Sequence, residues 1–231
     1  MPMAIPRYPA ILFDLDGTLT DPYTGISRTF IHALSALGQP LPAEMTLRTW
    51  IGPPLQASFR AYLGDEELAL QAVAIYRERY RRMGMYENQV YLGIPELLGT
   101  LQTTGAKLYV ATSKLIGPAQ GILDHFALAP FFHGVVGATP DERISAKSDV
   151  IAAVLAMLTP AERQNCVLVG DTTYDIEGAR VHDIPCIAVS YGYGELADLQ
   201  AAQPYALVHS VDELATLLLD VGEPSSPTPP A

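Results

Sequence analysis

The chain predicts an α/β fold: a doubly wound parallel sheet with an α-helical segment inserted after its first strand. Three observations predict it. From residue 90 onward, short apolar runs alternate with stretches of helical periodicity, the pattern of a parallel sheet covered on both faces. Between the first apolar run, Ala10 to Phe13, and residue 90, strand signals are absent and helical ones are not. Two of the runs end in paired acids, Asp14/Asp16 and Asp171/Asp175. Open α/β sheets take their ligands at the C-terminal ends of such strands.

The elements follow in order. Ala10-Ile11-Leu12-Phe13 reads as a buried strand stopped by Gly17. Ile26, Phe30, Ala33, Leu34 and Leu37 fall at helical spacing, as do Leu55, Phe59 and Leu63. Residues 67–83 continue it with Leu68, Ala72, Ile75 and Tyr76. Gly38-Gln39-Pro40, Gly52-Pro53-Pro54 and Gly64-Asp65 separate these helices. The sheet then resumes. Helix 94–103 leads to strand 107–112, helix 117–124 to strand 134–137, helix 145–158 to strand 166–170, and helix 174–181 to strand 186–190. Strand 206–208 and helix 211–219 close the pattern. Residues 1–20 and 90–220 thus form the core, 21–89 a helical module, and 221–231 a Pro/Ser-rich tail expected to be disordered.

Composition narrows the function. Fourteen Lys and Arg against 25 Asp and Glu leave a net charge of −11, with no basic stripe for nucleic-acid phosphates. Arg77, Arg79, Arg81 and Arg82 read as a solvated helix end favoured by the dipole. No apolar run is long enough to span a membrane, and residues 1–8 lack the apolar core of a signal peptide. A soluble cytoplasmic protein, monomer or homodimer, is the expectation. Cys166 and Cys186 sit at or within apolar runs and read as small buried hydrophobes. The five histidines show no metal spacing.

The chemistry starts from Asp14 and Asp16. Two residues apart in an extended chain, their carboxylates share a side. Like charges that close need a cation or a shared proton. With no Cys or His at hand, oxygen ligands favour Mg²⁺. One Asp can then serve as nucleophile and the other as acid and base. Three further segments accompany this one: Leu108-Tyr109-Val110-Ala111-Thr112-Ser113, then Lys147, then Val167-Leu168-Val169-Gly170-Asp171-Thr172-Thr173-Tyr174-Asp175.

Together these four segments resemble the haloacid dehalogenase superfamily of phosphohydrolases, nearest its phosphoglycolate-phosphatase-like branch. The resemblance spans Phe13 to Asp175. It implies a Rossmann-like core, a helical cap at 21–89 that closes over the sheet edge, and hinges near 19–21 and 88–91. It implies Asp14 as nucleophile, forming an aspartyl-phosphate, and Asp16 as general acid and then base. Asp at the second position favours phosphate over carbon–halogen chemistry. The Asp16 backbone carbonyl would bind Mg²⁺ together with Asp14 and Asp171, and Asp175 would act as a metal-water ligand or a supporting group. Lys147 is one of only three lysines, with Lys107 and Lys114. Lys147 fits the family spacing best, Lys114 and Arg143 being the other basic residues considered. Its charge would offset that between Asp14 and the phosphoryl group. Gly17 and Thr18 would allow the tight turn and close backbone approach to phosphate. Thr112 would bind phosphoryl oxygens or cap a turn. Ser113 stands where many relatives carry Asn. Asp21 reads as a turn residue, and Trp50 as packing within the helical module. Tyr191-Gly192-Tyr193-Gly194 reads as either an active-site edge loop or a plain surface turn.

Substrate choice is expected in the cap near Gly52. Sugar phosphomutases carry Lys just before that glycine and Arg three residues after it; Ile51 and Leu55 stand there instead. Arg48 and Arg60 are the nearest cations for a substrate anion. The expected activity is hydrolysis of a small phosphorylated metabolite: phosphoglycolate, a nucleoside monophosphate or a sugar phosphate. A phosphomutase, or a non-catalytic regulatory or scaffolding relative, is the alternative.

Overall fold

The computed structural model describes residues 5–141 and 143–220. The tail 221–231 lies outside them. A short pair, β1 (Ile5–Pro6) with β10 (Leu219–Asp220), joins the two ends of the described chain antiparallel. Strand β2 (Ala10–Phe13) lies mid-sheet and is followed by β3 (Thr20–Asp21). Four helices come next: α1 (Tyr23–Ala36), α2 (Glu44–Arg48), α3 (Leu55–Leu63) and α4 (Glu66–Arg82). Then follow β4 (Gln89–Val90), α5 (Ile94–Thr103), β5 (Lys107–Leu115), α6 (Ile116–His125) and β6 (Gly134–Ala138). The chain continues through α7 (Lys147–Leu155), α8 (Pro160–Gln164), β7 (Cys166–Gly170), α9 (Thr173–Val181) and β8 (Cys186–Val189). Last come α10 (Leu196–Ala201), β9 (Ala206–Val208) and α11 (Val211–Leu218).

The main sheet has the order β6-β5-β2-β7-β8-β9, all parallel. Strand order reverses at β2, so β5 and β7 flank it, and its C-terminal end is where such sheets take their ligands. Successive side chains of each strand face opposite ways. Ile11, Phe13, Val110, Val167 and Val169 enter one apolar cluster, which also holds Phe30, Phe59 and Tyr76 of the inserted helices. Leu12, Tyr109, Leu168 and Ala188 enter the other, with Val150 and Ile151 of α7 and Ile176 of α9. Both faces are therefore buried, which explains why the strands read as continuous apolar runs. Cys166 and Cys186 are buried and free, as expected. Trp50 meets Phe30 edge-on, with ring centroids 4.7 Å apart, so it does pack within the helical group.

The two chain crossings into and out of α1–α4 are held together by β3 and β4, paired antiparallel as Thr20 with Val90 and Asp21 with Gln89. The Asn88 side-chain amide donates to Thr20 Oγ1 at 3.2 Å, a buried bond. No helix among the described residues is long and apolar enough to cross a membrane.

Several elements differ from the sequence-based boundaries. The helix expected at 145–158 is shorter at both ends. Asp149 accepts the Ala146 N–H at 3.1 Å, which sets the start at Lys147, and Arg163 donates to the Leu155 carbonyl at 2.6 Å, which caps the end. Helix α8 was not expected. Its signal is a capping box, in which Glu162 accepts the Thr159 N–H at 2.9 Å and donates its own N–H back to Thr159 Oγ1 at 3.3 Å. Helices α2 and α10 were also missed; at five and six residues they are too short to show a period. The arginine group is not uniformly solvated. Arg79 turns inward, donating to Thr29 Oγ1 at 2.6 Å and pairing with Glu87 at 2.9 Å.

Candidate active site

At the C-terminal end of β2 the backbone N–H of Asp14 is held by the Val169 carbonyl at 2.9 Å, which fixes Asp14 against β7. Asp14, Asp171 and Asp175 are all buried, with one carboxylate oxygen from each within 4.8 Å of the others. Burial pushes the Asp14 carboxyl up to about 6, against the pull of Lys147 and with the push of Asp175. Burial also holds Asp171 well above the usual carboxylate range, reinforced by the charges of Asp175 and Asp14.

Lys147 is the cation of this cluster. From the first turn of α7 its ammonium reaches Asp14 Oδ1 at 2.8 Å, Asp175 Oδ1 at 2.7 Å and the Ala111 carbonyl at 2.9 Å. All three of its protons are used. Burial alone would lower its pKa, but the two carboxylates outweigh that and hold it above the ordinary lysine value. Gly178 lets α9 approach closely, since a Cβ there would lie 2.8 Å from Lys147 Cγ.

Asp175 is braced from both sides. Its other oxygen accepts the Thr172 N–H at 3.0 Å and the Thr172 hydroxyl at 2.8 Å, a helix N-terminal arrangement. Asp171 accepts the Tyr193 N–H at 2.8 Å and the Thr18 hydroxyl at 3.3 Å. Gly17 has φ +85°, and a Cβ there would collide with the Asp171 carboxylate. The positive φ fits the tight turn expected at Gly17, and the Asp171 carboxylate is a further neighbour that demands glycine there. The same carboxylate would meet any side chain at Gly192.

The Tyr191–Gly194 loop, left open by the sequence, therefore closes one wall of the site. The Tyr191 hydroxyl donates to the Thr18 carbonyl at 3.1 Å, and Tyr193 donates to the Asp21 carboxylate. Asp21 also accepts the Tyr23 N–H at 3.0 Å, the turn role its sequence context suggested. Arg48 of α2 stacks over Tyr23 and Tyr193, 5.5 and 5.3 Å from the ring centres, at the boundary between inserted helices and sheet. Arg60 pairs instead with Glu66 at 3.8 Å. Gly52 also reaches this boundary: a Cβ there would be 3.7 Å from Thr172 Cγ2.

Asp16 stands apart from the three clustered carboxylates; its side chain forms an ion pair with Lys114. The strand expected to end at Thr112 runs on to Leu115, with a register shift against β6 between those residues. Such an irregularity re-aims side chains. Thr112 is buried and its Oγ1 accepts the Lys114 N–H at 3.2 Å, the local-turn role rather than a bond to a neighbouring element. Ser113 is exposed. Lys114 is the site residue that sequence reasoning passed over. Its signal was its place directly after the second segment.

Three buried carboxylates against one ammonium leave negative charge to be balanced. The all-oxygen donor set fits a hard divalent cation such as Mg²⁺.

Residues 11–189 match the family model described as haloacid dehalogenase-like hydrolase. The chain is 44% identical over 212 residues to the 5'-nucleotidase of Pseudomonas aeruginosa, covering 91% of this chain and 94% of that protein. Among solved structures it is similar to a predicted phosphatase from Clostridium acetobutylicum, at 39% identity and TM-score 0.83, covering 90% of this chain and 96% of the other. It is also similar to protein tyrosine kinase A of Mycobacterium tuberculosis, at 38% identity and TM-score 0.80, covering 93% and 98%. By class the protein is a phosphoric monoester hydrolase, its acids gathered where parallel strands end. By family, the chain belongs to the haloacid dehalogenase-like hydrolases.

Proposed function

We propose that the protein is a Mg²⁺-dependent phosphatase acting on a small phosphomonoester through an aspartyl-phosphate on Asp14. The observation that carries this is the position of Asp14. It is buried at the end of the central strand, tied to Lys147, and beside two further carboxylates. In this reading Asp14 attacks phosphorus and the ester oxygen leaves with a proton from Asp16. Asp16 then takes a proton from the water that cleaves the acyl phosphate. Lys147 holds Asp14 in place and offsets charge on the phosphoryl oxygens. Asp14, Asp171 and the Asp16 carbonyl would hold Mg²⁺, with Asp175 as a metal-water ligand or a supporting group that braces Lys147. The ion would neutralise phosphoryl oxygens. Thr112, Ser113, Gly17 and Thr18 would line the phosphoryl side.

Residues 21–89 form the cap in this reading and 1–20 with 90–220 the core, the β3–β4 pair marking the crossing. The closeness of Gly52 to Thr172 supports a cap loop that lies over the core, where closure would exclude water. The 5'-nucleotidase relative puts a nucleoside monophosphate first among substrates to test, ahead of phosphoglycolate and sugar phosphates. Ile51 and Leu55 speak against a mutase, and the intact acid and lysine set speaks against a scaffolding role.

The test is phosphate release from that panel with Mg²⁺ and with excess chelator, alongside trapping of acid-stable or hydroxylamine-labile phosphate on protein. Hydroxylamine-labile phosphate on Asp14 and chelator-sensitive turnover are expected. Full turnover in chelator, or phosphate trapped on another residue, would refute the reading.

A further inference from the structure

Among the inserted helices, α4 carries a buried hydroxyl without a partner near Lys114 and Asp16, that of Tyr80. Tyr80 lies on α4 and is 6% exposed. Its hydroxyl has no hydrogen-bond partner among the described residues, and neither does Asp16 Oδ1. Lys114 meets both residues. Its ammonium pairs with Asp16 Oδ2 and stands 4.8 Å from the Tyr80 ring centre. The Lys114 and Asp16 side chains are only 10% and 17% exposed. The negative charge of Asp16 is felt at Tyr80, whose hydroxyl burial holds firmly protonated.

The ring is fixed in place. It stacks on Tyr76, with centroids 5.5 Å apart and planes 10° off parallel. A Cβ at Gly84 would come within 2.7 Å of Tyr80 Cδ2 and 2.6 Å of Thr29 Oγ1, so only glycine leaves room for it. Arg79 holds Thr29 from the next position along α4. A tyrosine kept only for packing would bury its ring equally well as phenylalanine. Burying an unpaired hydroxyl costs stability, so this position gains nothing from it in the folded chain alone.

We propose that Tyr80 and Lys114 form a leaving-group subsite that takes an oxygen acceptor, carboxylate or hydroxyl, borne near the scissile ester oxygen. This rests on the phosphatase reading, in which Asp16 faces that oxygen. Lys114 offers only donors and Tyr80 an O–H that can donate alongside it, so the two together suit an acceptor. The core supplies Lys114 and the inserted helices supply Tyr80, so the subsite is whole only when the two lie together. Tyr80 is then a specificity-determining residue, with no part in the transfer itself.

The test is calorimetric binding, in Mg²⁺, of inorganic phosphate and three phosphonates of equal chain length: propylphosphonate, 3-hydroxypropylphosphonate and 3-phosphonopropionate. All three present the same phosphoryl end, and none is hydrolysed. The wild-type protein should bind at least one oxygen-bearing analogue about tenfold or more tightly than propylphosphonate, the worth of one hydrogen bond with a charged donor nearby. A preference for the carboxylate assigns an acidic leaving group, and a preference for the hydroxyl a sugar-like one. Tyr80→Phe keeps the ring, and should shrink that preference several-fold while leaving propylphosphonate and phosphate unchanged. Lys114→Met keeps the stem over Tyr80 and should remove any preference for the carboxylate. Phosphate binding with no preference in the wild type, or equal weakening of every ligand by Tyr80→Phe, overturns the subsite but leaves the phosphatase reading standing. Failure of phosphate and all three phosphonates to bind overturns both.

Discussion

Lys147→Met is the substitution from which the site has most to reveal. The methionine keeps the stem that packs beside Gly178 but deletes an ammonium with three partners at 2.7–2.9 Å. Asp14 and Asp175 lose their counter-charge while Asp171 stays beside them. Breaking a buried ion pair from one side costs about 3–5 kcal/mol. For a chain of this size that is a fall of about 6–20 °C in Tm. The loss should depend on pH, with a definite sign. Asp14 already titrates at about 6, above its ordinary value, and without Lys147 it rises further. A carboxyl whose folded pKa is raised binds more protons folded than unfolded, so stability falls as pH climbs from the unfolded pKa through the folded one. The deficit of Lys147→Met should therefore be smaller near about pH 5.5 than near about pH 7.5. Mg²⁺ should narrow it further by supplying charge to the same carboxylates. It should not restore turnover, which should stay roughly 10²-fold or more down because the charge at Asp14 is gone. Urea unfolding at both pH values, with chelator and with Mg²⁺, measures all of this. A deficit under about 0.5 kcal/mol in chelator at the higher pH would refute the reasoning, as would one indifferent to pH and metal.

Three other outcomes are expected. Asp14→Asn should lower turnover roughly 10³-fold or more yet melt no earlier than the wild type in chelator, because it removes one of three crowded carboxylates; an early melt would show that Asp14 stabilises the fold. Gly17→Ala should destabilise by more than about 1 kcal/mol and cut turnover, since its Cβ strikes Asp171 and its φ is +85°; a neutral result in a urea melt would place Asp171 elsewhere. Burial opposes ionisation of Glu87, but hydrogen bonds and charge from Arg28 and Arg79 more than compensate and hold its carboxyl below its ordinary value. The stability it contributes is therefore present above its unfolded pKa and is lost as pH falls through the lower folded one. Glu87→Gln should destabilise at neutral pH and converge with the wild type in acid; parallel curves down to about pH 3 would rule the coupling out.

The parallel core was legible because a strand buried on both faces leaves a mark that needs no tertiary knowledge. Ala10–Phe13 and Cys166–Gly170 are wholly apolar, and each runs straight into the acids of the site. Asp14, Asp171 and Asp175 could be named for the same local reason, their positions after strand ends, whereas Lys147 was named from the spacing of the family the chain resembles. The short elements escaped. Two-residue β3 and β4 have no period, and their pairing exists only because the chain leaves and re-enters the sheet at one place. The partners escaped as well. No local pattern says that the irregularity after Thr112 turns Lys114 onto Asp16. Nor does any say that Gly17 and Gly192 both yield space to Asp171, or that Tyr80 arrives from α4 beside Lys114. Sequence alone determined which side chains can carry charge at the strand ends, because backbone period and burial are local. Tertiary structure decided which of them meet, because a carboxylate buried among others settles its protonation and its partners only once the charges around it are in place.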